Sequence, residues 1–232
     1  MCTREPRPFE SDYAVVLSGV TKRFGSRVAV NNLSLKVRPG EICALIGANG
    51  GGKTTSLRLI AGLIPADEGA GAVLGRDLRA ATRAVRHEVG YLAQRCTLYG
   101  ALSVRENLRF RAAVFGAADP GSAAEKQIRA FGLTALGASR VADLSGGWSR
   151  RVELAAVMIH NPRLLLLDEP TTGLDAAARE SIWLRLLAFA AQGTAIVFST
   201  HDLSETHCCS QIVTLSTDGM LAAEAPTCAA QQ

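Results

Sequence analysis

Three short segments carry the residue types that bind and transfer phosphate. Residues 47–54 read GANGGGKT, residues 144–148 read LSGGW and residues 164–169 read LLLLDE. The first segment fits the pattern GxxxxGKT, in which glycines let backbone N–H groups wrap around phosphate. In such a loop Lys53 supplies a cation to the β- and γ-phosphates, and the Thr54 hydroxyl can ligate Mg²⁺. The segment therefore predicts a site for a nucleoside triphosphate.

The acidic pair Asp168–Glu169 follows four consecutive leucines. A short apolar run is typical of a strand buried on both faces, and ligands of open α/β sheets bind beyond the carboxyl ends of such strands. There Asp168 is placed to hold Mg²⁺, and Glu169 is placed to orient or deprotonate the attacking water. The alternative, in which both acids only cap the next helix, does not account for the phosphate loop upstream.

The segment Leu144–Trp148 predicts a second anion-binding loop. Ser145 is a good helix N-cap, and Gly146 and Gly147 permit a close approach of the backbone. The alternative is an ordinary turn that caps a helix. The residues alone give this second loop no phosphate to bind.

Apolar periodicity predicts the elements that position these residues. Alternation predicts two antiparallel strands, 13–20 and 28–37, joined by a turn at Gly25–Ser26. Short apolar runs predict buried strands, and helical spacing predicts helices. The expected strands are 42–46, 72–74, 89–93, 164–167 and 195–198, and the expected helices are one ending at 60, an insert over 103–137 and one over 176–191. We expect an α/β fold with a parallel core, and fraying over 222–232.

Composition excludes several classes of protein. The 232 residues carry a net charge of +4 with scattered Lys and Arg, so no basic tract indicates nucleic-acid binding. Residues 1–11 lack the apolar core of a signal peptide. The stretch 184–199 is interrupted by Arg185 and Gln192 and falls short of the roughly 18–20 apolar residues of a membrane span. We expect a chain that is not secreted and does not cross a bilayer by itself.

The cysteines have no CxxC spacing and are expected to be reduced thiols. They are Cys2, Cys43, Cys96, Cys208, Cys209 and Cys228. The run His207-Cys208-Cys209 is not followed by a second ligand pair at a zinc-site spacing, so we do not expect zinc there.

The motifs stand in the order and spacing of the ATP-binding cassette (ABC) ATPases: 47–54, Gln94, 144–147, 164–169, the TGLD run 172–175, and His201. The chain resembles this family from about residue 13 to residue 226. The resemblance implies a P-loop NTPase fold with a parallel core sheet, an N-terminal antiparallel β-subdomain and a helical subdomain that carries the LSGG signature. It implies a single nucleotide-binding domain over 1–232, with the ATP-binding core in 13–93 and 161–226 and the Q-loop and helical subdomain in 94–160.

The resemblance also implies roles for single residues. The implied catalytic residues are Glu169, His201, Lys53 and Gln94, and the implied Mg²⁺ ligands are Thr54, Gln94 and Asp168. The implied nucleotide contacts are Phe24, Gly47, Ala48, Asn49, Gly50, Gly51, Gly52, Lys53, Thr54, Thr55, Ser145, Gly146, Gly147 and Asp175. Ser145 and Gly147 correspond to groups that reach the γ-phosphate held by a second subunit, which gives the second loop its ligand.

Three of these residues have an ordinary alternative. Phe24, which corresponds to the aromatic that stacks on adenine, is otherwise a half-exposed strand residue. His201 is otherwise a common surface or core histidine. Asp175, which corresponds to an acid at the dimer interface, is otherwise the N-cap of the helix that begins at Ala176, and both roles can coexist.

Two positions depart from the family pattern. Trp148 stands where the signature usually has glutamine, and with residues 94–100 and 102–108 it resembles the ABC-2-type exporter branch. Ala48 stands where proline is common in the phosphate loop. The adjacent Gly51 and Gly52 add flexibility, so we expect a higher ordering cost when nucleotide binds.

The implied cofactors are ATP and Mg²⁺, and the implied partners are a second nucleotide-binding domain and membrane-spanning permease subunits, without nucleic acid. The implied location is peripheral, at the cytoplasmic face of the cell membrane, with export as the direction of transport. One alternative is a soluble ABC ATPase that acts on a macromolecule such as the ribosome. Another is a regulatory module without catalysis, which Glu169 and His201 argue against.

Overall fold

The computed structural model describes residues 12–79, 83–216 and 221–226. The strands are β1 (Val15–Phe24), β2 (Arg27–Val37), β3 (Ile42–Gly47), β4 (Glu68–Val73), β5 (Arg76–Asp77), β6 (Val89–Leu92), β7 (Leu164–Asp168), β8 (Ala195–Thr200), β9 (Gln211–Leu215) and β10 (Leu221–Pro226). The helices are α1 (Lys53–Ile60), α2 (Arg83–Arg86), α3 (Val104–Val114), α4 (Pro120–Ala130), α5 (Gly146–Val157) and α6 (Ala176–Ala191). Short 3₁₀ segments cover Thr134–Leu136, Val141–Asp143, Met158–His160 and Leu203–Cys208.

A six-stranded sheet with the order β10-β9-β3-β8-β7-β6 forms the centre of the fold. Strands β9, β3, β8, β7 and β6 pair in parallel, and β10 pairs antiparallel with β9 at one edge. Every residue of β7 and β8 is buried, as expected for strands that are covered on both faces. The predicted parallel α/β core is confirmed.

A separate antiparallel sheet has the order β2-β1-β4-β5. The predicted pairing of the first two strands is confirmed, and the pairing continues to Phe24 and Arg27 on either side of the turn. The strand predicted at 72–74 begins at Glu68 and pairs with β1 in this sheet. This sheet is the predicted N-terminal β-subdomain.

Two hydrophobic clusters use opposite faces of the central sheet. In β7, Leu165 and Leu167 belong to the cluster that contains buried residues of α3, α4, α5 and α6. Leu164 and Leu166 belong to the cluster that contains α1 and the antiparallel sheet. The alternation follows from the two-residue period of a strand. The helical subdomain and the phosphate-loop helix are thus packed on opposite sides of the same strands.

The carboxyl ends of the parallel strands bring the candidate residues to one edge of the sheet. The phosphate loop follows β3, and Gln94 comes two residues after β6. Glu169 directly follows β7, and His201 directly follows β8. Because parallel strands end at the same edge, segments far apart in sequence meet there.

The prediction that 222–232 is frayed is wrong for 222–226, which lie in β10 and pair with β9. Backbone hydrogen bonds supply this pairing, so it does not need the apolar alternation that the alanine-rich segment lacks. Residues 227–232 and 1–11, with Cys228 and Cys2, lie outside the described residues. In the described ranges no helix has both the length and the apolar character to span a membrane, and the longest, α6, has 16 residues.

Candidate functional site

The phosphate loop is shaped by glycines at the turn from β3 into α1. Gly50 and Gly52 have φ values of +86° and +89°, which favour glycine. A Cβ at Gly52 would also overlap the carbonyl oxygen of Ala29, and a Cβ at Gly47 would overlap that of Leu215. Any residue larger than glycine at Gly47 or Gly52 would therefore collide with neighbouring backbone.

Lys53 is the first residue of α1 and is buried. Its Nζ donates to the carbonyl oxygens of Gly47 at 2.6 Å and Ala48 at 3.1 Å. The ammonium group therefore lies against the backbone of the loop, where it can pair with a phosphate that the loop holds.

Asp168 ends β7 and is 2% exposed. Its Oδ1 accepts hydrogen bonds from Thr54 Oγ1 at 3.1 Å and from Ser199 Oγ at 2.7 Å. The predicted Mg²⁺ ligands Thr54 and Asp168 are thus adjacent. One carboxylate and one hydroxyl suit Mg²⁺, which usually keeps waters and phosphate oxygens as its other ligands.

Glu169 lies beside this pair and is 8% exposed. Its Oε2 accepts from Gln94 Nε2 at 3.1 Å and from Thr172 Oγ1 at 3.2 Å. His201 Nδ1 lies 3.6 Å from Oε1. The sequence-predicted Gln94, Glu169 and His201 are therefore brought together around one carboxylate, which is the arrangement that a water-activating base requires.

A cavity of about 660 Å³ joins these groups. Its lining residues are Phe24, Arg27, Ala29, Asn49, Gly50, Gly52, Lys53, Thr54, Thr55, Gln94, Glu169, Thr172 and His201. Phe24 is 53% exposed. The cavity is large enough for a nucleotide, and it offers one exposed aromatic ring, backbone donors and a cation.

The signature residues do not line this cavity. Ser145, Gly147, Trp148, Arg151 and Asp175, with Ala177 and Ala178, line a second cavity of about 250 Å³. Gly146 begins α5, and a Cβ there would meet open space. Within one chain, the two predicted anion-binding loops therefore serve different cavities.

Two cap assignments can be compared with the structure. Ser145 is the N-cap residue of α5, as predicted, although its side chain makes no capping hydrogen bond. Asp175 Oδ1 accepts from the backbone N–H of Ala178 at 2.8 Å, so the N-cap alternative for Asp175 is confirmed. The Arg151 guanidinium lies 4.5 Å from the centre of the Trp148 ring, and Trp148 is 39% exposed.

The sequence missed Ser199 and Arg27. Ser199 pairs in register with Asp168 across β7 and β8 and binds both Asp168 and the Glu169 N–H. A polar residue at the end of an apolar strand was its only signal. Arg27 donates to the carbonyl oxygen of Gly50 at 3.1 Å, and its position at the start of β2 gave no signal.

Cysteine and metal chemistry add little to the site. Cys96, Cys208 and Cys209 are free thiols. Burial raises the pKa of the Cys209 thiol to about 12. Among the residues that the structure describes, no group of three or more His, Cys, Asp and Glu side chains could hold a metal ion.

A protein-family model described as ABC transporter matches residues 30–172. The Nod factor export ATP-binding protein I of Sinorhizobium fredii is 41% identical over 198 residues, which cover 84% of this chain and 58% of the relative. The Escherichia coli protein named "Probable multidrug ABC transporter ATP-binding protein YbhF" is 36% identical over 197 residues, covering 83% and 34%. The chain thus spans about a third to three fifths of the length of these two relatives.

A solved structure gives the same result. A dimeric ATP-binding cassette in a post-hydrolysis state, bound to ADP and Pi, is similar with a TM-score of 0.81 and 25% identity, covering 91% of this chain and 98% of the other. The phosphate loop, the two carboxylates and the signature helix all lie within the matched region 30–172. The chain therefore belongs to the ABC transporter family, as an ATP-binding cassette.

Proposed function

We propose that this chain is the ATP-hydrolysing subunit of an ABC-2-type exporter. It binds ATP with Mg²⁺, pairs with a second nucleotide-binding domain around two nucleotides and drives transport through separate membrane-spanning subunits. The observation that carries the proposal is that Lys53, Thr54 and Glu169 line one cavity with Gln94 and His201, while Asp168 accepts a hydrogen bond from Thr54.

Each residue has a task in hydrolysis. Phe24 stacks on the base, and Lys53 with the loop N–H groups binds the β- and γ-phosphates. Thr54, Asp168 and Gln94 would hold Mg²⁺, which neutralises charge that develops on the phosphate oxygens. Glu169 accepts the proton of the attacking water, and His201 holds the γ-phosphate beside it.

In a pair of nucleotide-binding domains, the signature of one chain can bind the nucleotide of the other. Ser145 and Gly147 line a cavity other than the nucleotide cavity of their own chain, so they are available to a phosphate held by another subunit. The N–H groups at the start of a helix favour such an anion. The dimeric state of the similar cassette supports pairing. In the head-to-tail pair that we propose, Asp175 lies at the interface.

A membrane subunit has a suitable surface beside the Gln94 loop. A cleft of about 240 Å³ is lined by Leu63, Val89, Phe115 and other largely apolar residues. The Arg111 guanidinium also lines it and is half-buried, and among the described residues it makes no side-chain hydrogen bond or ion pair. The carboxylate that acts on its charge, Glu153, is already ion-paired with Arg150. A half-buried cation without a directly bonded carboxylate favours an acidic group from another chain.

Docking of a membrane subunit in this cleft determines where we propose that the chain lies in the cell. Ala93 and Thr97, on either side of the loop, contribute to the cleft, while Gln94 reaches the nucleotide cavity. Docking there makes the chain peripheral at the cytoplasmic face of the cell membrane. We propose the whole chain as one nucleotide-binding domain, with the core in 13–93 and 161–226 and the helical subdomain in 94–160.

Two substitutions test the proposal. Lys53→Ala should abolish ATP binding or turnover, because it removes the cation of the phosphate loop. Glu169→Gln should retain ATP binding and stop hydrolysis, because an amide does not accept the proton. Glu180→Gln, at an exposed position on α6, is the matched control and should hydrolyse ATP normally. Normal turnover by Glu169→Gln would rule out Glu169 as the base.

A further inference from the structure

Arg150 lies in α5, a short distance after the signature, and is buried. Its Nε donates to the Pro170 carbonyl at 2.8 Å, and Nη2 donates to the carbonyls of Asp168 and Glu169 at 3.0 Å each. Its Nη1 donates to the Ala93 carbonyl at 3.0 Å and to Glu153 Oε2 at 2.9 Å. A guanidinium has five N–H donors, so every donor of Arg150 is used.

Three of these acceptors belong to the backbone that carries the catalytic acids. Glu169 has φ +48°, in the left-handed region that residues other than glycine rarely adopt. Such a conformation persists only where the surroundings hold it. Arg150 binds the Glu169 carbonyl, and Ser199 Oγ accepts from the Glu169 N–H at 3.0 Å. The peptide groups on both sides of the Glu169 Cα are therefore fixed, and with them the direction of its side chain.

Glu153 extends this network to the Gln94 loop. It is buried one turn after Arg150, and its Oε1 accepts from the backbone N–H of Thr97 at 3.0 Å. Arg150 binds the Ala93 carbonyl at the other end of the loop. One ion pair therefore holds both ends of the segment whose Gln94 side chain touches Glu169.

We propose that Arg150 and Glu153 are positioning residues for hydrolysis, an inference that rests on the proposed ATPase function. Arg150 holds the Glu169 backbone, and Glu153 holds the Gln94 loop against the same guanidinium. The signature begins the same helix, so a shift of α5 when the signature meets a second subunit's nucleotide moves Glu169 and Gln94 together. Hydrolysis is thereby linked to pairing within each chain.

Arg150→Lys tests this inference, because a lysine keeps the charge but loses the fork that binds three carbonyls in a row. We expect kcat to fall by about tenfold or more, because the base is misplaced. We expect the Kd for ATP to stay within about threefold of the wild-type value, because Arg150 does not reach the nucleotide cavity. Amide hydrogen exchange should also rise at Glu169 and Thr97 in the nucleotide-free chain.

Glu153→Gln is the second variant, and it decides the question if Arg150→Lys does not fold. Thr97 exchange should rise and kcat should fall in it as well. The matched controls are Arg38→Lys and Glu41→Gln, in an exposed Arg–Glu pair of the same spacing, and both should behave as wild type.

Unchanged kcat and unchanged exchange in the folded variants would overturn the inference. Failure of the wild-type chain to hydrolyse ATP would instead overturn the proposed function. In that event the exchange measurements, which need no turnover, still show whether Arg150 and Glu153 hold the two segments.

Discussion

Replacement of Trp148 by glutamine should weaken ATP-driven pairing of this chain. Trp148 is 39% exposed, so of the roughly 250 Å² of a tryptophan side chain about 100 Å² remains to be buried. At about 25 cal/mol per Å² this area corresponds to ~2.5 kcal/mol for each signature and ~5 kcal/mol for a symmetric pair. Glutamine retains part of the buried area, and pairing has its own entropic costs. We therefore expect the substitution to remove about half of the ~5 kcal/mol, which corresponds to roughly a 50- to 100-fold rise in the dimer Kd.

Sedimentation velocity with ATP and Mg²⁺ measures this Kd. The Glu169→Gln background keeps ATP intact during the run. Leu184→Gln is the control, because Leu184 is 62% exposed on α6 outside the signature cavity and its replacement should leave the Kd unchanged. If Trp148→Gln pairs within about threefold of the parent, Trp148 is not buried at the interface and the reasoning fails.

Three further predictions follow from local geometry. Gly52→Ala should lower the unfolding free energy measured in urea by more than Gly193→Ala, where φ is +92° against +89° but a Cβ would meet open space; equal losses would contradict the overlap with backbone. Burial lowers the pKa of His160 from 6.5 to about 4. Below pH 6.5 the unfolded chain therefore binds a proton at His160 more readily than the folded chain does. The free energy of unfolding should not depend on His160 above pH 6.5 and should fall by about 2 kcal/mol toward pH 4, a figure reduced for the partial exposure of the ring. Urea unfolding at pH 7 and 4.5 should show this loss in the wild type and a smaller one in His160→Gln. Arg111→Glu should reduce copurification with a membrane subunit and leave ATP binding intact; equal copurification would exclude Arg111 from the docking surface.

The sequence predicted the parts of the molecule that short segments determine. The leucine run before Asp168 predicts a strand buried on both faces, and β7 is such a strand. The glycines at 50 and 52 permit backbone angles that other residues resist. Ligands of parallel sheets bind beyond the carboxyl ends of the strands, so the strand before Glu169 placed that carboxylate at the site. Gln94 and His201 were assigned to the same site only through the resemblance to the ABC ATPases.

Side-chain partners far apart in the chain could not be predicted in this way. Arg150 and Glu153 are spaced like an ordinary surface ion pair on a helix. Their burial depends on loops 93–97 and 168–170, which reach α5 only in the folded chain. The Ser145 hydroxyl, which makes no capping hydrogen bond, is a similar case, because the capping preference of serine does not decide whether the side chain turns toward the helix.

The two hydrophobic clusters lie on opposite faces of the central sheet, and this separation affects how the sequences of such chains can change. The signature helix packs with Leu165 and Leu167, and the phosphate-loop helix packs in the cluster of Leu164 and Leu166. Substitutions on one side of β7 can accumulate without altering the other side. A lineage can therefore repack the core beneath α3, α4 and α6 while the packing of the phosphate-loop helix stays as inherited.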